Sequence, residues 1–131
     1  GMDLYSNGMM VSRSLLAENP DAVAGLVRAV TRATLEVMKD QDIAVEAIMA
    51  FDNLVDPELE RARLEFALTK LMNAPETAET GIGDLVDERL TRSIAIIAEG
   101  YDLETLPEAS EIFDRSFLAP ASERMLDVSI N

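Results

Sequence analysis

The sequence predicts a mainly α-helical domain, and three observations carry that expectation. Apolar residues recur at three- and four-residue steps along most of the chain after the first ten residues. Asn19-Pro20 and Asp56-Pro57 each put a side-chain acceptor at an N-cap and a proline at the first helical position, where no N–H is needed. Leu4 to Val11 is the sole strand candidate, its period-two pattern placing Tyr5, Asn7, Met9 and Val11 on one face. Five or six helices with one or two short N-terminal strands are expected.

Ser12 can cap a short helix running to Glu18. In the segment Pro20 to Lys39, Val23, Leu26, Val27, Val30, Thr34, Val37 and Met38 fall on one buried helical face. Asp42 opens another helix with Ala44, Ala47, Ile48 and Phe51 inward, and Asp52-Asn53-Leu54-Val55 breaks it. The helix begun at Asp56-Pro57 carries Leu64, Ala67, Leu68, Leu71 and Met72 inward and fades at Asn73 to Pro75. Ala74 to Gly83 reads as a loop. Asp87 caps a helix with Leu90, Ile94, Ile97 and Ala98 inward, ending near Gly100. Pro107 to Leu118 reads as a last short helix bearing Ile112, Phe113 and Phe117, with a frayed tail over 121–131. Gly1 reads as a protease scar ahead of Met2, and 1–131 reads as a single domain without repeats.

Composition removes several classes of chemistry. The 131 residues hold 11 basic and 25 acidic side chains, and 11 − 25 gives a net charge of −14. A field of that sign opposes binding to nucleic-acid phosphates and anionic lipid. The chain has no Cys and no His, which removes thiolate catalysis, zinc–thiolate sites, disulfides and the Ser–His relay. No apolar run approaches the about 20 residues of a membrane span, and no signal peptide is legible. The expectation is a soluble, non-enzymatic chain that needs no cofactor and no metal, cytoplasmic if Met2 is the true start.

Asp52 with Asp56, and Asp84, Asp87 and Glu88, offer carboxylates for a hard cation, but their placement beside helix starts favours capping. Gly81-Ile82-Gly83 lacks the Lys-Ser/Thr of a phosphate loop and reads as a turn. Arg28, Arg32 and Glu36 step by four along one helix and read as a solvated, pair-forming face. The methionines Met9, Met10, Met38, Met49 and Met72 read as core fillers. Tyr5 and Asn7 are the candidate ligand-binding residues, a stacking ring beside an amide that both donates and accepts.

The strings Tyr5 to Ser12, Glu18 to Val23 and Leu26 to Val30 resemble the second half of solute-binding proteins of the thiamine-pyrimidine-precursor type. These sit within the nitrate/sulfonate/taurine group of ABC-importer receptors. Pro75-Glu76-Thr77, Gly81-Ile82-Gly83, Asp87-Glu88-Arg89 and the stretch Phe113 to Pro120 follow in the same order. The resemblance implies a helical fragment of a two-lobed α/β periplasmic-binding-protein fold that closes on a small heterocycle between its lobes. It makes Leu4 to Val11 a crossing strand, Tyr5 and Asn7 the surviving ligand contacts, and an ABC permease the partner of the full-length receptor in the periplasm. The same fold serves a fungal pyrimidine-synthesising enzyme whose chemistry needs a histidine and cysteines that are missing here. Complete receptors are over twice this length, and their aromatics near Asp84 and Leu90 have no counterpart in this chain. The alternative is a helical oligomerisation or protein-interaction module derived from such a receptor. A homo-oligomer, most simply a two-fold dimer, is expected around Leu4, Tyr5, Met9, Met10 and Val11.

Overall fold

The computed structural model describes residues 4, 5, 7–72 and 74–126, and helices dominate it. Helix α1 (Arg13–Glu18) starts where Ser12 Oγ accepts the Leu15 N–H. Helix α2 (Pro20–Lys39) starts where Asn19 Oδ1 accepts the Ala22 N–H, with Asp21 in its first turn and Lys39 in its last to complement the dipole. Helix α3 (Asp42–Phe51) follows, and α4 (Pro57–Phe66) begins under Asp56, whose carboxylate accepts from the N–H groups of Glu58 and Leu59. Each of these starts is the one its local sequence predicts.

Beyond Phe66 the helix widens into a π-helical segment, Ala67–Met72. The wider turn rotates later residues away from the α-helical spacing. Leu68 stays inward as expected, at 1% exposed, whereas Leu71, also expected inward, is 64% exposed. The segment expected to be loop contains a single helical turn, α5 (Thr77–Thr80). It ends at Gly81, whose φ of 80° suits glycine and whose added Cβ would meet the Arg124 backbone and Cβ at 3.1 Å.

Helix α6 (Asp87–Gly100) ends where expected, but its N-cap is Val86, and Asp87 turns its carboxylate to Arg115 instead. The helix expected over Pro107 to Leu118 is two pieces, α7 (Ala109–Ile112) and a 3-10 turn (Arg115–Phe117). Glu108 and Glu111 close a capping box on α7, and Asp114 accepts the Ser116 N–H, so local side-chain bonds compete with a continuous helix.

The N-terminal strand expected over Leu4 to Val11 is not formed: the described residues contain no strand, and 4, 5 and 7–11 are irregular. A strand needs a hydrogen-bonded neighbour, and the described residues offer this segment no strand to pair with. Ser6 and Gly1 lie outside the described residues. The tail expected to fray from 121 is held as far as 126 by a 3-10 turn, Ala121–Glu123, and by the buried side chain of Arg124; 127–131 lie outside the described residues.

The core is small. Met38, Leu68 and Ile82 form its centre, with Leu35, Val37, Leu64, Met72 and Leu126 packed around them. It ties the end of α2 to α4, to the Gly81–Gly83 turn and to the tail. Phe51, expected inward, is 95% exposed, and Val45 is the buried residue of α3. The chain exposes 9691 Å², against about 6,800 Å² for a compact monomer of its mass. No helix among the described residues is long and apolar enough to cross a membrane.

Candidate functional site

Tyr5 anchors the first segment to the far side of the chain. Its hydroxyl donates to Glu76 Oε1 at 2.7 Å and accepts the Val86 N–H at 2.9 Å. The Arg89 guanidinium lies 4.2 Å from the ring centroid, pairs with Glu76, and reaches the Leu4 carbonyl at 3.5 Å. Burial, reinforced by the bond to Glu76, raises the Tyr5 phenol above its usual pKa. The Tyr5 hydroxyl, with Arg89 beside it, holds the Glu76 carboxyl below the usual carboxylate range. The proton therefore stays on Tyr5 and the charge on Glu76.

This node predicts a pH-dependent coupling. Glu76 has a folded-state pKa below its unfolded value of about 4.3, so its contribution is present above that pH and is lost as pH falls through the lower folded value. The stability difference between wild type and Tyr5→Phe, measured by urea denaturation, is expected to be largest at neutral pH and to shrink below pH ~4.3. A difference unchanged between pH 7 and pH 3 would remove Glu76 from that account.

A second node surrounds Asp84. Its carboxylate accepts from Arg115 Nε at 2.8 Å and Arg124 Nη2 at 3.3 Å, and from the Leu85 N–H at 2.8 Å. Arg115 also pairs with Asp87, while Glu88 pairs with Arg92 along α6. The acidic run that sequence alone offers to a cation is thus engaged by arginines. No group of three or more acidic side chains among the described residues is placed to hold a metal.

Asn7 is exposed, and with no strand the shared face that would align it with Tyr5 is not built. Arg28 and Arg32 do not form the expected ladder with Glu36; no ion pair joins them among the described residues. With Thr31, Ala119 and Glu123 they line an open cleft of about 270 Å³ between α2 and the C-terminal segment. Thr31 is buried there and donates to the Val27 carbonyl, a helical back-bond.

Sequence reasoning missed Arg124 altogether and had Glu76 and Arg89 only as landmarks of a resemblance. No local signal marks them, because each acts on groups distant in the chain. Comparison with protein-family models, with curated proteins and with solved structures gives no match.

Proposed function

We propose that this chain is the C-terminal helical part of the substrate-binding component of an ABC importer for a small flat heterocycle, such as a pyrimidine precursor of thiamine. The observation that carries the reading is the ordered set of residue strings from Tyr5 to Pro120. The large uncovered apolar surface agrees with it, since a wall of helices built to lie on a sheet leaves that face bare when considered alone. In this reading the Tyr5 ring stacks on the heterocycle and Asn7 reads its polar edge. The Tyr5 hydroxyl stays with Glu76 and Val86, so the ring and not the hydroxyl meets the ligand.

One wall cannot bury most of a ligand's surface as a closed cleft does. Calorimetric titration of the isolated chain with an aminopyrimidine is therefore expected to give no micromolar binding. The decisive measurement is the mass of the native product isolated from cells with an antibody to this chain. A polypeptide more than twice as long that retains the aminopyrimidine supports the receptor; a native product no longer than this chain would overturn it. A second reading, a helical oligomerisation or interaction module, is favoured by one specific feature, the exposed large apolar side chains Phe51 and Leu54 at the end of α3.

A further inference from the structure

Asn7-Gly8 is the single Asn-Gly junction of the chain. Upstream of it the Tyr5 hydroxyl is held by Glu76 and Val86, and downstream Ser12 caps α1. Between these two points residues 7–10 are exposed and irregular. Among the described residues the Asn7 amide and the Gly8 N–H take part in no hydrogen bond. A Cβ added at Gly8 would meet nothing within 4 Å, and glycine brings no side chain of its own to crowd its nitrogen.

We propose that Asn7 is a site of self-modification, where the chain deamidates to a mixture of aspartate and isoaspartate. The Gly8 backbone nitrogen attacks the side-chain amide carbon of Asn7. A bond forms between that nitrogen and Cγ, the bond from Cγ to Nδ2 breaks, and the Gly8 proton leaves with Nδ2 as ammonia. The product is a five-membered succinimide. Water then adds to one of its two carbonyls and opens the ring. Opening at Cγ gives aspartate; opening at the backbone carbonyl gives isoaspartate, in which the chain runs on through the side chain. The balance is water in and ammonia out, with no other reactant. A ladder or a helix would fix the backbone and occupy the Gly8 N–H, and the described residues form neither at this junction.

Two other asparagines show what Asn7 lacks. Asn19 precedes Pro20, which has no N–H to attack with, and its Oδ1 accepts the Ala22 N–H as the N-cap of α2. Asn53 precedes Leu54, whose N–H donates to Asp52 Oδ1 at 2.9 Å and whose side chain crowds the nitrogen. The consequences at Asn7 are local. Each event adds one negative charge to a chain already at −14, and isoaspartate lengthens the backbone between the Tyr5 anchor and α1. An amide both donates and accepts, whereas a carboxylate only accepts. In the receptor reading the reaction would therefore end the role of Asn7 at the ligand's polar edge. The modification itself does not rest on that reading, because its test needs no ligand.

The test ages the intact chain at neutral pH and body temperature for several weeks. Samples are cleaved with trypsin at Arg13, and the peptide 1–13 is followed by mass spectrometry against a zero-time sample. The peptide is expected to gain one mass unit and to separate into aspartate and isoaspartate forms, with ammonia released in equal amount. Gly8→Ala, which the open space around Gly8 accommodates, is expected to slow the reaction about tenfold or more, the equivalent of ~1.4 kcal/mol on the barrier. Its helical circular dichroism should match wild type. Asn53 is expected to persist over the same period, and the intact chain to react within a few-fold of the free peptide 1–13. An Asn7 that survives in the intact chain would overturn the proposal, and a free peptide that reacts alongside it would locate the protection in the fold. A Gly8→Ala variant that reacts as fast as wild type would also overturn it, as would equal loss at Asn53 and Asn7.

Discussion

Replacing Arg124 with alanine is expected to cost about 3–5 kcal/mol of stability, the range for breaking one side of a buried ion pair. The guanidinium is 5% exposed and all three of its nitrogens donate. Nε reaches the Ala119 carbonyl at 2.8 Å, Nη1 the Thr80 and Ile82 carbonyls at 3.0 Å, and Nη2 the Asp84 carboxylate at 3.3 Å. The Arg124 carbonyl in turn accepts the Ile82 N–H at 2.8 Å. Truncation strands three backbone acceptors, each worth about 1–3 kcal/mol when left buried without a donor. Asp84 adds less, because Arg115 still holds it. A domain has only about 5–15 kcal/mol in hand, and one with so small a core sits near the lower end. The variant should therefore lose much of its helical circular dichroism at 37 °C, and its urea midpoint should fall steeply. A loss below about 1 kcal/mol, the scale of an ordinary exposed ion pair, would show that the tail is held by something else.

The local parts of this fold are legible in the sequence and the long-range parts are not. Asn19-Pro20 carries a cap, a proline and an acidic first turn within three residues, and α2 begins and ends where they and the apolar period predict. Asp56-Pro57 does the same for α4. Leu4 to Val11 has a strand's alternation, but alternation says nothing of a neighbour, and without one the segment does not form a ladder. Phe51 shows the same failure on a helix. Its spacing puts it on an apolar face, yet α3 has apolar faces on two sides, and periodicity cannot tell which one the rest of the chain covers.

The candidate site divides along the same line. Tyr5 is recognisable as a residue with a purpose, an aromatic carrying a polar handle near a chain end. Its partners Glu76, Val86 and Arg89 are 71 to 84 residues away, so nothing near Tyr5 announces them. Arg115 and Arg124 are single cations in a short acidic tail, a setting that reads as solvated surface. Their role follows from where the Gly81–Gly83 turn brings its carbonyls, and Gly81 must be glycine for that approach to occur.

Leu68→Ala is expected to destabilise the chain by about 2–5 kcal/mol, and Leu71→Ala by no more than about 0.5 kcal/mol. Both are leucines of the same helical stretch, three residues apart, and an uninterrupted α-helix would put both on the face of Leu64. The π-helical segment separates them. Leu68 lies at the centre of the core between Met38 and Ile82, so removing its side chain opens a cavity where α2, α4 and the Gly81 turn meet. Little else is available to collapse into that space, because most of the other large apolar residues face outward. Leu71 has already left the core and has little cover to lose. Paired urea denaturation curves with a common m-value measure the contrast. Equal losses at the two positions would mean that the helix keeps its α-helical register through residue 72 and that the core is built on a different face.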